Sequence, residues 1–320
     1  DQPRSRGLGD VYKRQILDIN AKRVVIDPIS VITNLLTPAK ARALIANTIT
    51  KVLKNMGITT LLIADLPFGE YKVGYGTEEF VADIVIILTT ETRGELIRRK
   101  MEIRKARGVK LSYGALPFVI NNRGIEVIEP LPKEIEGVFR EELISTGIKK
   151  LDELLGGGLF SSSITAIVGP AGTNKTMLVL TIAARNAMHG RRVLFVSFVE
   201  SKEQIKTRLK RMGYDPSLFG EKLHIYCISP FGLLEEELLQ NLREVINRVK
   251  PELYIIDGLE VFNLAIGNEA FIRYTYRRAW ELKNLGITLI LTMSINYPEE
   301  RMYIDNLVDN LILIKSRISG

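Results

Sequence analysis

The chain has 320 residues, of which 46% are hydrophobic and 25% are charged, and its formal net charge is +7. This composition is that of a soluble globular protein, and the absence of eighteen consecutive apolar residues argues against a membrane-spanning helix. Cys227 is the only cysteine, which excludes an intrachain disulfide and a cysteine-based zinc site and fits a reducing cytoplasm.

The positive charge is modest for this length and is spread along the chain. A solvated surface is the interpretation that we favour, and weak affinity for nucleic acid is the alternative. We expect no membrane partner.

We expect both ends of the chain to be cut, because it begins with Asp rather than Met and stops at Gly320, just after an apolar run. Residues 1–15 have no apolar periodicity and no hydrophobic stretch of a signal peptide. We interpret them as a non-native or disordered tail that lies outside the predicted fold.

The first half of the chain contains a predicted strand and a predicted helix near its start. The apolar run 23–27 indicates the strand. Thr37 and Pro38 form a good cap and first-turn pair for a helix that ends at Gly57.

The second half alternates predicted strands with predicted helices. Ser201 and Gln204 form a capping box, and Gly190 ends the helix that precedes it. The predicted order is strand 164–169, helix 177–190, strand 193–198, helix 201–213, strand 223–229, helix 233–250, strand 253–257, helix 271–286, strand 287–293 and strand 307–314. This alternation predicts an α/β fold with a mostly parallel sheet that helices cover on both faces.

Three segments of the first half recur in the second half in the same order. The pairs are RVVID (23–27) with LYIID (253–257), KNMGITTLLIAD (54–65) with KNLGITLILTMS (283–294), and VADIVIIL (81–88) with LVDNLILI (307–314). Their spacing is nearly constant at 226–230 residues. We therefore expect two incomplete tandem copies, with residues 16–138 as the C-terminal part of a first domain and residues 139–320 as the N-terminal part of a second, joined near 136–143.

The stretch GPAGTNKT (169–176) is almost a phosphate-binding loop, or Walker A motif. The pattern G-x-x-x-x-G-K-[ST] would place a glycine at Asn174. Glycines in such loops serve positions with positive φ or close contact to phosphate, and Asn is the side chain that best tolerates the left-handed region. The loop is therefore a candidate nucleotide site, with binding residues Gly169, Pro170, Ala171, Gly172, Thr173, Asn174, Lys175 and Thr176.

The expected cofactors of this loop are ATP and Mg²⁺. Lys175 would reach the β- and γ-phosphates, and Thr176 would bind the metal ion. The predicted strand before the loop and the predicted helix after it are the context that the motif requires. Asp257 ends an apolar strand about eighty residues later, which is the usual position of the acid that holds the Mg²⁺ shell.

The segment STGIKKLDELLGGGLFSSSITAIVGPAGTNKT (145–176) resembles the start of a KaiC-type domain of the RecA superfamily, whose members carry T-G-x-x-x-L-D-x-L-L-G-G-G before the phosphate loop. RKMEIRKARG (99–108) followed by PFVINNRGIEVIEP (117–130) is similar to the closing hairpin of that family. The resemblance covers residues 16–320. It implies a RecA-like P-loop ATPase, and tandem copies are common in the family.

The resemblance also implies a ring, usually a homo-hexamer, that holds nucleotide between subunits. A Lys and an Arg two residues apart in the closing hairpin reach a neighbour's nucleotide, and Lys105 and Arg107 match them. From the residues alone we would interpret Lys105 and Arg107 as part of a basic strand that is exposed to solvent. The resemblance implies instead that both contact nucleotide in trans. The expected partners are further copies of the chain and unidentified signalling proteins.

The chain departs from the family pattern where catalysis is expected. Members commonly carry a Glu-Glu pair just after the second strand, and one of the two activates the attacking water. This chain has Val199 and Glu200 there, and a valine accepts no proton. Glu200 remains a catalytic candidate beside Lys175, although adjacent residues leaving a strand face opposite ways. Since general-base help is typically worth ~10²–10⁴ in rate, we expect ATP binding with slow hydrolysis in the second domain.

Three functions remain open. The first is a ring-forming, regulatory or signalling ATPase. The second is a DNA-handling recombinase or helicase relative, which would need a basic loop, whereas SINYPEERMYIDN (294–306) has little excess positive charge. The third is a nucleotide-binding assembly module with little hydrolysis, which Val199 supports. The rate of ATP hydrolysis would distinguish the regulatory ATPase from the assembly module. Salt-dependent DNA binding would distinguish the DNA-handling protein from the other two.

Overall fold

The structure is a computed structural model, and it describes residues 14–33, 35–45, 53–66, 77–128, 141–295 and 303–315. Several predictions fall partly outside these residues. They concern the tail at 1–13, the middle of the helix from Thr37 to Gly57, most of the joint near 136–143, and the greater part of the 294–306 loop.

The chain divides into two compact units. The first comprises Asp1–Leu88 and Glu102–Ala115, and the second comprises Thr89–Met101 and Leu116–Gly320. This division follows contacts between residues rather than their order in the chain. The domain boundary between residues 138 and 139 stays a prediction.

The first unit contains a small parallel sheet and short helices. Strand β1 (Arg23–Ile26) pairs with β2 (Thr59–Leu62). The helices are α1 (Ile29–Thr33), α2 (Pro38–Leu44) and α3 (Thr77–Val81). Helix α2 begins at Pro38 as predicted, although the Thr37 side chain forms no cap hydrogen bond. Ile29 and Ile45 are the buried centre of this unit.

The predicted closing hairpin is present as long antiparallel strands. The strands are β3 (Ile84–Arg93), β4 (Leu96–Ala106), β5 (Leu116–Asn121) and β6 (Gly124–Val127). Within the second unit, residues 99–101 of β4 pair with residues 116–118 of β5, and β5 pairs with β6.

The second unit is built on a six-stranded sheet. A short antiparallel pair, β7 (Leu143–Ile144) and β8 (Leu159–Phe160), precedes it. The six strands are β9 (Ile164–Gly169), β10 (Val193–Ser197), β11 (Leu223–Cys227), β12 (Leu253–Asp257), β13 (Thr288–Ser294) and β14 (Asn310–Leu313). Their order is β11-β10-β12-β13-β9-β14, and every neighbouring pair is parallel. The predicted α/β fold is confirmed.

Helices cover this sheet on both faces. They are α4 (Lys149–Leu154), α5 (Lys175–Met188), α6 (Lys202–Arg211), α7 (Glu235–Val249), α8 (Leu259–Ile266) and α9 (Asn268–Asn284). Tyr254 and Ile256 of β12 face the core of α7, α8 and α9, whereas Leu253 and Ile255 face the core of α5 and α6. Strands buried on both faces must be apolar at successive positions, which explains their continuous apolar runs. Among the described residues, no helix combines the length and the apolar character needed to cross a membrane.

Helix α8 is absent from the sequence prediction, and α9 begins three residues before its predicted start. The segment between Gly258 and Gly267 is short and contains Val261 and Phe262, which are only moderate helix formers. Leu259 and Phe262 of this segment are buried in the core under α7 and α9. Tertiary packing therefore determines this helix more than local propensity does.

The parallel pairs β1–β2 and β12–β13 have equivalent registers. Arg23 lies opposite Thr59 in the first pair, and Leu253 lies opposite Thr288 in the second. The aligned segments of the sequence place Arg23 at Leu253 and Thr59 at Thr288. This equivalence supports the predicted duplication.

The loop between β9 and α5 has the backbone that the sequence predicts at Asn174. This residue has φ 60 and ψ 30, in the left-handed region, and Gly172 has φ 79. Gly169 serves a different need, since a β-carbon there would lie 2.3 Å from the carbonyl oxygen of Ile314. The glycine thus lets the chain after β14 approach the start of the loop.

We expect Asn174→Val to lower the free energy of unfolding by about 1–2 kcal/mol, because the left-handed conformation costs a non-glycine residue roughly that much and β-branched residues tolerate it least. Asn174→Gly should leave stability nearly unchanged. Urea unfolding measures both. Asn247→Val is the control, since Asn247 is exposed in the last turn of α7; equal losses for the two valine variants would contradict the backbone argument.

Candidate functional site

The predicted site residues of the second unit meet at one edge of the sheet. Strands β12, β13 and β9 are consecutive neighbours and run parallel, so their carboxyl ends lie together. Ligands of open α/β sheets bind at this edge. The loop after β9, Asp257 at the end of β12 and Thr292 of β13 are thereby brought into one place.

A chain of hydrogen bonds joins the loop helix to the two strands. Thr176 Oγ1 donates to Asp257 Oδ2 at 2.9 Å, and Thr292 Oγ1 donates to Asp257 Oδ1 at 2.7 Å. The N–H of Gly258 donates to Thr292 Oγ1 at 2.9 Å. The two residues predicted to hold a metal ion, Thr176 and Asp257, are therefore in direct contact.

These two residues fit Mg²⁺ in their chemistry. The carboxylate and the hydroxyl are hard oxygen donors, and Mg²⁺ usually takes one or two protein ligands together with substrate phosphates and waters. Burial raises the pKa of Asp257 above its ordinary value, while hydrogen bonds from Thr292 and Thr176 oppose the rise. A divalent cation would favour the ionised form of this carboxylate.

Lys175 lies inside the loop. Its side chain is buried, and Nζ donates to the carbonyl oxygens of Gly169 at 2.9 Å and Pro170 at 2.8 Å. Burial lowers the pKa of Lys175, and the negative charges of Glu260 and Asp257 oppose this. Helix α5 begins at the same residue, so its first N–H groups and the positive end of its dipole are available for an anion such as phosphate.

The segment before β9 holds the other end of α5. Asp152 accepts hydrogen bonds from the hydroxyl of Thr146 at 2.6 Å and from its N–H at 2.7 Å. Arg185 of α5 donates to the carbonyl of Gly147, and a β-carbon on Gly147 would lie 2.6 Å from Arg185 Cδ. The T-G-x-x-x-L-D pattern thus has a structural role that positions the loop helix.

Glu200 forms an ion pair with a residue of α6. Its Oε2 accepts a hydrogen bond from Arg208 Nε of α6 at 2.7 Å. Val199, at the position where the family pattern has a Glu, packs on Gly258, since a β-carbon there would lie 2.2 Å from Val199 Cγ2. Both the expectation that Glu200 turns away from the site and its catalytic role stay predictions.

Lys105 and Arg107 have local partners in the first unit. Lys105 Nζ donates to the carbonyls of Glu79 at 2.8 Å and Phe80 at 3.2 Å. Arg107 donates to Phe80 at 3.3 Å and pairs with Asp83 at 3.0 Å. Both cations therefore bind the carboxyl end of α3 and the residues that follow it, and contact with nucleotide in trans stays a prediction.

Sequence reasoning missed three residues of the site: Thr292, Arg208 and Glu260. Thr292 lies within the apolar strand β13, and no motif marks it. Glu260 carried a usable signal, because it is a carboxylate three residues after the Asp that ends β12. Because helix α8 was not predicted from the sequence, the position of that carboxylate could not be inferred.

Comparison with known proteins agrees with this geometry. The profile of a family described as "ATPase: KaiC" matches residues 4–132 and 144–319. The chain is similar to proteins named "Circadian clock oscillator protein KaiC" from three organisms. The one from Parathermosynechococcus lividus is 31% identical over 304 residues, which are 92% of this chain and 56% of that protein.

The protein from Acaryochloris marina is 32% identical over 258 residues, 79% of this chain and 49% of that protein. The protein from Synechococcus elongatus is 30% identical over 275 residues, 82% of this chain and 52% of that protein. The chain spans about half the length of the curated relatives it matches. Because the family profile matches nearly the whole chain, and the second unit has the parallel sheet and phosphate-loop arrangement expected of it, this chain belongs to the KaiC family of ATPases.

Proposed function

We propose that this chain binds Mg·ATP at the loop of residues 169–176 and hydrolyses it slowly, as part of a cytoplasmic, ring-forming regulatory or signalling protein with two tandem domains. The observation that carries the proposal is the contact of Thr176 with the buried Asp257, next to the buried Lys175. A phosphate site needs a cation, a hydroxyl and a carboxylate in this arrangement.

Different groups of the site would bind different parts of Mg·ATP. Backbone N–H groups at the start of α5 would hold the phosphates, and the Lys175 ammonium would exchange its bonds to Gly169 and Pro170 for bonds to phosphate oxygens. Thr176 and Asp257 would hold Mg²⁺, directly or through water. When bound, Mg²⁺ neutralises phosphate charge in the transition state.

Slow hydrolysis follows from the residues after β10. Val199 provides no proton acceptor, and Glu200 is ion-paired with Arg208 at 2.7 Å. Well-placed general bases contribute ~10²–10⁴ in rate, so their loss leaves binding in place while turnover falls.

Assembly into a ring is the second part of the proposal. Lys105 and Arg107 would contact the nucleotide of a neighbouring copy, after exchanging their bonds to α3 for bonds to phosphate. We do not propose DNA handling, because residues 294–306 carry little excess positive charge.

Lys175→Ala tests the nucleotide site. We expect the affinity for Mg·ATP to fall at least about tenfold, because hydrogen bonds to charged groups are worth about 1.5–3 kcal/mol. Calorimetric titration of the chain measures the affinity. Lys202→Ala removes the same charge at an exposed position of α6 and should bind like the parent; equal affinity for both variants would rule out the loop as the site.

The double variant Lys105→Ala/Arg107→Ala tests the ring. In the full-length protein we expect it to lose nucleotide-dependent assembly, because two cations that face a neighbour's phosphates are removed. Light scattering with and without Mg·ATP gives the mass. Lys149→Ala/Lys150→Ala is the charge-matched control on exposed positions of α4.

Thermal melting of the same proteins distinguishes lost assembly from local damage, since Lys105 and Arg107 also bind backbone carbonyls of α3. A double variant that melts like the parent and still assembles with ATP would refute the role in trans.

A further inference from the structure

Glu260 is two residues after Gly258, which contacts Val199 at the position where the family pattern has its water-activating Glu. It is in the first turn of α8, three residues after Asp257. In the neighbouring strand, Ser197 lies opposite Asp257, and the N–H of Phe198 donates to the Asp257 carbonyl at 3.1 Å. Val199 then packs on Gly258. The chain after β10 and the turn that begins α8 therefore share one side of the site.

The Glu260 carboxylate has a buried oxygen with no partner in the described part of the chain. Oε2 is inaccessible to solvent and forms no hydrogen bond there. Several other buried side-chain atoms of the described residues also lack a partner, and in native proteins such atoms commonly serve a catalytic group, a water or an ion. This carboxylate is therefore suited to bind something that the chain itself does not supply.

A simple helix-capping role does not explain this burial. An acidic residue in the first turn stabilises a helix through its dipole, and an exposed side chain serves that purpose. Glu269, in the first turn of α9, is such a case, because it is exposed and pairs with Arg273 at 2.6 Å. Glu260 differs in that one of its oxygens is enclosed at the edge of the sheet that carries the phosphate loop.

The charge of Glu260 acts on the core of the site. Burial lowers the pKa of Lys175, and Glu260 opposes this more strongly than Asp257 does. Glu260 forms no ion pair with any of the described residues, whereas Glu200 is paired with Arg208 at 2.7 Å.

We propose that Glu260 is the catalytic carboxylate that orients and deprotonates the attacking water, from a position outside the family pattern that is less effective than the Glu missing at Val199, so that hydrolysis stays slow; this rests on the proposed ATPase function. The water oxygen bonds to the γ-phosphorus, and the bond from that phosphorus to the bridging oxygen of ADP breaks. The water proton passes to a Glu260 oxygen and then to solvent. The products are ADP and inorganic phosphate.

The test compares Glu260→Gln, Glu260→Asp and the control Glu269→Gln in this chain. Single-turnover hydrolysis is measured after subtracting the rate of Lys175→Ala, and ATP affinity is measured with and without Mg²⁺. We expect Glu260→Gln to lower hydrolysis about 10²-fold. It should tighten ATP binding several-fold without Mg²⁺, because a negative charge near Lys175 is removed.

Glu260→Asp separates charge from position. It keeps the negative charge and withdraws the carboxylate by one methylene, so we expect it to retain the affinity of the parent while hydrolysis falls. Glu269→Gln should match the parent in both measurements.

The results that would contradict the proposed function differ from those that would contradict the role of Glu260. A parent that does not bind Mg·ATP refutes the proposed function. A parent that binds ATP, with Glu260→Gln equal to Glu269→Gln in hydrolysis, refutes only the role of Glu260. A fall in affinity parallel to the fall in hydrolysis also refutes it, since Glu260 would then support the shape of the site. A larger loss for Glu200→Gln than for Glu260→Gln would return the role to Glu200.

Discussion

The buried carboxylate of Asp257 is the point on which the site depends. Strands β12 and β9 are not neighbours, because β13 lies between them. Asp257 connects β12 to the loop that follows β9, because it accepts hydrogen bonds from Thr292 on β13 and from Thr176 at the start of the loop helix. A carboxylate with 2% of its surface exposed needs such donors to stay charged. The same bonds that satisfy it therefore fix the start of α5 at the carboxyl edge of the sheet.

The loop helix is also fixed at its far end, so contacts within the protein hold it at both ends. Arg185 binds the Gly147 carbonyl in the segment that Asp152 holds together, while Gly169 lets the chain at Ile314 pack against the start of the loop. Asn174 then adopts the left-handed backbone that the turn requires. A binding loop held in its working shape loses less conformational entropy when it binds.

The strands, the loop and the backbone at Asn174 could be predicted from sequence because each depends on local pattern. Apolar runs indicate buried parallel strands, and a strand–loop–helix order accompanies a phosphate loop. Helix α8, the pairing of Glu200 with Arg208 and the burial of Glu260 depend on packing between distant segments, which periodicity does not encode. Lys105 shows the same limit, since its carbonyl partners at Glu79 and Phe80 lie 26 and 25 residues earlier in the chain.

The distribution of charge suggests how binding and chemistry are linked in this site. Lys175 is one buried cation beside two carboxylates, Asp257 and Glu260, whereas Glu200 is neutralised by Arg208. Two carboxylates repel the phosphates of free ATP but attract a divalent cation, so nucleotide and Mg²⁺ would bind together rather than separately. Once Mg²⁺ offsets the charge of Asp257, Glu260 would be the acidic group left to act on a water molecule. If Glu260 has the proposed role, this arrangement would favour metal-bound nucleotide over free ATP and would supply a proton acceptor, although the family position for that acceptor holds Val199.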